Sequence, residues 1–136
     1  MNYWLVKSDP ETYGWEHFEK DGKTDWDGVR NYQARNNIAE MKKGDKVLFY
    51  HSVTTRNVVG IAKVSRSSFQ DSTTDDDRWL AVELEADKKL KNPVNLKEIK
   101  KHKDLQDIAL IKQSRLSVMP LTKNEYDTII AMSNEA

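Results

Sequence analysis

The sequence predicts an α+β fold, with five or six strands in a mixed or antiparallel sheet able to curl into a small barrel, and short helices set between them. Three observations carry this. Several short runs alternate or are uniformly apolar over four to eight residues, as strands do. The strands do not alternate regularly with helices, which argues against a parallel α/β sheet. The helices announce themselves by caps rather than by length. A chain of 136 residues fits one domain with a core of its own.

In chain order, Tyr3–Lys7 reads as a strand, aromatic and β-branched without a breaker. Pro10 after Asp9 marks a first helical turn, and Tyr13–Lys20 reads as a short helix with Trp15 and Phe18 facing the core and Gly22 as its stop. Lys23–Arg30 reads as a loop. A helix is expected from about Asn31 to Met41, with Ala34, Ile38 and Met41 as its apolar stripe. Lys46–His51, apolar on both faces, predicts a central strand. It pairs in antiparallel fashion with Val58–Val64, where Gly60 suggests a bulge or a barrel corner.

Ser65–Arg78 reads as a long polar loop, of the length that binding elements often have. Trp79–Glu85 alternates, with Leu80, Val82 and Leu84 facing inward. Asp87–Lys103 is rich in lysine and contains the cap signal Asn95-Leu96-Lys97-Glu98, which opens a short helix to about His102. Leu105–Lys112 is compatible with helix or strand. Leu116–Leu121 reads as a late strand, and the capping box Thr122-Lys123-Asn124-Glu125 opens a last helix with Tyr126, Ile129 and Ile130 on its apolar side.

Composition excludes several classes. No cysteine is present, so disulfides and thiolate metal sites are out. No apolar run approaches the ~20 residues of a membrane span, and Met1–Lys7 is charged too soon for a signal peptide. The expectation is a soluble, cytoplasmic protein without membrane contact. Lys and Arg number 22 against 22 Asp and Glu. That balance argues against a sequence-blind binder of nucleic-acid backbone, but not against a reader of single bases through one local patch.

No catalytic set is visible. His17, His51 and His102 lack metal-ligand spacing, so neither metal nor cofactor is expected, and a lone His51 at a strand end reads as structural. Ser52, Ser114 and Ser117 have no nucleophile-elbow context. Asp25 and Asp27 read as turn residues before a carboxylate pair, and Asp75-Asp76-Asp77 as a solvated turn. The lysines from Lys88 to Lys103 read as a solvated helix face before a phosphate contact.

What remains is aromatic and amide chemistry. Trp4 and Trp15 read as core, while Trp79 is open between core and pocket. Trp26, in a polar stretch beside Gly28, reads as a pocket wall. Trp26 to Asn37 brings Trp, Tyr, two Arg and three Asn together. Lys7-Ser8 and Gln113-Ser114-Arg115 would add donors if a curled sheet brought them near. Such a pocket suits a nucleobase, stacked on the ring and read along its hydrogen-bonding edge.

These stretches resemble the EVE domain family: Tyr3–Pro10, Trp26–Asn36, Phe49–Ser52 and Gln113–Pro120 match its motifs in order along essentially the whole chain. The resemblance implies a PUA-like fold, a mixed pseudobarrel of five to six strands with short surrounding helices, related to YTH and ASCH domains. It also implies a reader of a modified nucleobase in DNA or RNA, with Lys7, Ser8, Trp26 and Asn31 at the pocket and Tyr32, Arg35 and Arg115 beside it. Where the family's variable loop often carries tyrosine followed by proline, this chain has Phe69-Gln70. Two other functions stand beside that reading. One is a nucleotide- or RNA-processing enzyme of PUA-like fold, with Asp27 or His51 as its base. The other is a scaffold whose polar cluster holds the sheet together.

Overall fold

A computed structural model describes residues 1–135. Six strands, β1 (Tyr3–Ser8), β2 (Lys23–Trp26), β3 (Lys46–His51), β4 (Asn57–Gln70), β5 (Leu80–Asn95) and β6 (Val118–Leu121), pair in the order β2-β5-β4-β3-β1-β6. Among the described residues only β1 and β3 run parallel, with Leu5 opposite Leu48, and the other four pairings are antiparallel. The sheet is therefore mixed. Among the described residues no pairing joins its edges β2 and β6, so it does not close into a barrel.

β3 lies inside the sheet, and Val47, Leu48, Phe49 and Tyr50 are all buried, as its two apolar faces require. Six short helices surround the sheet: α1 (Pro10–Tyr13), α2 (Trp15–Asp21), α3 (Tyr32–Glu40), α4 (Leu96–Lys101), α5 (Ala109–Lys112) and α6 (Lys123–Glu135). The expected helix over Tyr13–Lys20 is split at Gly14, and the Asp9-Pro10 turn is a separate α1 in which the Glu11 amide is capped by the Asp9 carboxylate. α3 buries Ala34, Ile38 and the adjoining Met41 completely. At α6 the box is reciprocal: Glu125 N donates to Thr122 Oγ1 (3.1 Å) and Thr122 N to Glu125 Oε1 (2.9 Å).

Four expectations need correction. Lys23–Trp26 is an edge strand, not a loop: Thr24 and Trp26 are half-buried, Lys23 and Asp25 exposed, and β5 supplies the pairing. Ser65–Gln70 continues β4, because β5 offers Ala81 and Leu80 as partners to Phe69 and Gln70, so the loop shrinks to residues 71–79. β5 runs on through Asp87–Asn92, so Lys88, Lys89 and Lys91 are strand residues rather than a helix face. Ala81, expected to face outward, is fully buried, since β5 is covered on both sides there. In the first three cases a polar run is held in a strand by its neighbour, against its own propensity. Leu105–Lys112 resolves into the end of a 3-10 turn (Lys103–Leu105) and α5.

Gly60 sits at the expected irregularity, where register shifts between Val58 and Gly60 and, on β3, between Phe49 and Tyr50. A Cβ at Gly60 would lie 2.5 Å from the Trp15 ring. Trp15, Phe18 and Phe49 pack there with centroids 5.3 to 5.5 Å apart. Trp4 is also core: its Nε1 donates to buried Asp45 (3.0 Å), which accepts from Asn2 N and Lys42 N as well.

Candidate nucleic-acid interface

β2 delivers Trp26 to the sheet's edge, half-buried, with its ring edge-on to Phe49 at 5.7 Å and 81°. Gly28, at φ 75°, then reverses the chain in a conformation that favours glycine. Val29 tucks into the core, and Asn31 caps α3, its Oδ1 accepting from Ala34 N (3.0 Å). The polar face of α3 is tied down further along, where Asn37 Nδ2 donates to the Val118 carbonyl of β6 (2.7 Å).

The turn at Gly28 is fixed by a residue that sequence reasoning did not single out. Asp71 is fully buried, and its carboxylate accepts from Gly28 N (2.8 Å), Arg30 Nη1 (2.9 Å), Thr73 N (2.7 Å) and Thr73 Oγ1 (2.6 Å). Burial alone would push this carboxyl up. The four donors outweigh it and hold the group far below the usual carboxylate range. The only local signal is Thr73 two residues after an Asp, the pattern of an Asx turn.

The 71–79 loop also engages two of the expected site residues. Tyr32 lies 5.1 Å from Trp79 at 34° and accepts from Arg78 Nη1 through its hydroxyl (2.9 Å). Arg35 Nε donates to the Arg78 carbonyl (2.6 Å). The Arg30 guanidinium stands 5.6 Å from the Trp79 ring. Trp79 thus packs against Tyr32 of α3, and Tyr32 and Arg35 hold the loop to that helix.

A second group forms where β1 ends. Lys7 Nζ donates to the Ser114 carbonyl (2.8 Å) and Lys7 N to the Ser117 carbonyl (2.9 Å), while burial lowers the ammonium's pKa. Asn31, Gln33, Lys112 and Arg115 face a cavity of about 320 Å³, and Ser114 is shared between it and a neighbouring cavity lined by Lys7. The structure therefore brings Lys7, Asn31 and Arg115 together around residues 113–116. Ser8 turns toward α1 instead, its Oγ donating to the Tyr13 carbonyl.

His51 serves the core: Nε2 accepts from Trp15 N (3.0 Å), and burial lowers its pKa. Asp27 is exposed, with its pKa raised by partial burial and then by Asp71 and Asp25. Among the described residues no group of His, Asp or Glu could hold a metal ion, and no helix is long and apolar enough to cross a membrane.

A mixed six-stranded sheet ringed by short helices is a PUA-like fold. The YTH domain of Zygosaccharomyces rouxii MRB1, solved with N6-methyladenosine RNA, shares this fold at TM-score 0.61 over 97% of this chain and 86% of its own, with 13% identity. The chain belongs to the EVE domain family, which matches residues 2–132. It is 32% identical to thymocyte nuclear protein 1 of Danio rerio over 97% of this chain and 72% of that protein. A crystal structure from Agrobacterium tumefaciens matches at TM-score 0.96 and 43% identity, covering 98% of this chain and 93% of that one. Human THYN1 in complex with 5-methylcytosine containing DNA matches at TM-score 0.92 and 28% identity, covering 100% and 99%.

Proposed function

We propose that this protein is a non-enzymatic module that binds a modified nucleobase in DNA or RNA. The observation that carries the reading is the likeness, over the whole chain, to a human protein solved with 5-methylcytosine containing DNA. The chemistry of the site agrees with it. Trp26 is half-buried, with Phe49 edge-on to its ring. A base stacked on such a ring gains about 1–3 kcal/mol. Asn31 spends its Oδ1 on the helix cap, so its Nδ2 serves as the donor to a base edge. Lys7 and Arg115, on either side of Ser114, meet the flanking phosphates. His51 is committed to the Trp15 amide, which counts against one of the two candidate bases, Asp27 or His51, of an enzymatic alternative.

The test is fluorescence anisotropy with matched oligonucleotides carrying 5-methylcytosine, N6-methyladenine or no modification. Wild type prefers one modified probe. Trp26→Ala loses about 5- to 150-fold on that probe and little on the plain one, the range set by a stacking energy of about 1–3 kcal/mol. Trp26→Phe retains most of the preference, and thermal melts of both variants report folding. Equal binding of all probes by folded wild type refutes the reading.

A further inference from the structure

Three cavities adjoin along one side of the molecule. The one lined by Asn31 and Arg115 shares Ser114 with a cavity of about 380 Å³ bounded by Lys7, Arg56 and Lys100. That cavity in turn shares Val53, Arg56, Leu96 and Lys100 with a third of about 510 Å³, to which Lys97 contributes. Every charged side chain lining the three is a cation: Lys7, Arg56, Lys97, Lys100, Lys112 and Arg115. With 22 cations and 22 anions in the chain, a surface assembled without regard to sign would mix them. Two further cavities do mix them, Glu98 and Glu135 standing with Lys101 in one and Glu11 and Glu16 with Lys89 in the other.

The pairing of charges points the same way. Of the sixteen Lys and Arg elsewhere, six, Arg30, Lys46, Lys63, Arg78, Lys101 and Lys123, stand within 4.0 Å of a carboxylate. Of the six cations on this side, only Lys112 does so among the described residues, at 3.0 Å from Asp107. Crowded, unneutralised cations cost the free protein self-repulsion, and a polyanionic ligand removes that cost. At the junction of the second and third cavities stands Val53, on the loop between β3 and β4. It is 66% exposed and the one non-glycine residue with positive φ (70°) among the described residues. A β-branched residue there is strained, and such strain gathers at binding loops.

We propose that Arg56, Lys97 and Lys100 form a phosphodiester track that carries the nucleic-acid backbone from the base site, past Lys7, across the β3–β4 loop and α4. The inference rests on the base-reading function for its starting point. The track adds three phosphate contacts and no base selectivity, so affinity on this side depends on salt and probe length, not on modification.

The test uses the full chain with Arg56→Gln, Lys97→Gln and Lys100→Gln combined. The probes are modified and plain single strands of about 4 and about 16 nucleotides, the span of site sizes for small single-strand binding domains. Each lost phosphate contact lowers the slope of log affinity against log salt by about 0.7 on single strands, so the long probe loses about 2. The short probe and the ratio of modified to plain binding stay as in wild type. An unchanged slope on the long probe, in a folded variant that still prefers the modified base, overturns the track and leaves the base reading intact. A reduced slope in a protein without base preference keeps the track and overturns the reading. Displacement of the long probe by polyglutamate as readily as by plain oligonucleotide also overturns the track, in favour of an acidic protein partner.

Discussion

Replacing Asp71 by Asn keeps the shape of the side chain and removes its charge. The carboxylate takes Gly28 N and Arg30 Nη1 on Oδ2, and Thr73 N and Oγ1 on Oδ1. An amide has one acceptor, so its NH₂ must face one of these donor pairs. Facing Thr73 is the less costly choice, because the hydroxyl can turn to accept, and it leaves the Thr73 amide without a partner. The remaining bonds to Gly28 and Arg30 lose their charge assistance. Hydrogen bonds to charged groups contribute about 1.5–3 kcal/mol against about 1 for neutral ones. Breaking a buried ion pair from one side costs about 3–5 kcal/mol. Arg30 is 40% exposed and recovers part of its solvation, so a loss of about 3 kcal/mol is expected. The loss has a pH signature. The folded-state pKa lies below the unfolded value, so the stabilisation is present above about pH 4 and drains away as pH falls through the acid range. Urea titrations of wild type and variant at about pH 7 and about pH 3 should show the gap narrowing by about 1 kcal/mol, since each pH unit between the two pKa values is worth 1.36 kcal/mol. Hydrogen exchange should show the Gly28 amide losing protection at neutral pH. A gap under about 1 kcal/mol at neutral pH, or one that does not narrow in acid, refutes the argument that four donors on a charged Asp71 hold the two loops together.

Gly60→Ala places a methyl group 2.5 Å from the Trp15 ring, and overpacking of about 1–3 kcal/mol should appear as a lower melting temperature. Trp15→Phe in the same chain should reduce that penalty, and additive losses would show that the methyl is accommodated elsewhere. Neutral His51 accepts from the Trp15 amide and has a lowered pKa, so its contribution is whole above about pH 6.5 and declines as pH falls below it. Melting curves of wild type and His51→Gln that stay parallel from about pH 8 to pH 5 would contradict this. Val53→Gly relieves the positive φ and should stabilise the fold by up to about 1 kcal/mol, whereas a urea curve that does not shift rightward removes the claim of strain.

Elements whose information is local were legible. The period of Ala34, Ile38 and Met41, the double-faced apolar run of β3 and the Thr122 box each report on their own segment, and each behaves as read. β2 was not legible because Lys23-Thr24-Asp25-Trp26 holds only two inward residues, and its strand state is conferred by β5, far along the chain. The tail of β4 and the lysine run of β5 failed in the same way, each held as strand by pairing with the other strand. At the site, the side chains of Trp26 to Asn37 divide according to partners that only folding supplies. Arg30 meets Asp71, Arg35 and Tyr32 meet Arg78, and Asn37 meets Val118. Asn31 carried an ambiguity no sequence resolves, since the amide that suits a base edge also suits a helix cap. The basic track was invisible because the charge count is an average. Zero net charge says nothing about how signs are sorted between one side and another.

The pairing of β1 with β6 has a consequence for the life of the chain. Leu5 lies opposite Met119, and the Lys7 ammonium reaches Ser114 across 107 residues. β1 is the first of the six strands to be synthesised, yet its neighbour β6 is the last. Contacts so distant in sequence form late, because loop closure must be completed before they stabilise anything. The cavity between α3 and residues 113–116 therefore does not exist until β6 is free to pair. A nascent copy still lacking β6 therefore lacks that cavity, and the site is assembled only with completion of the sheet.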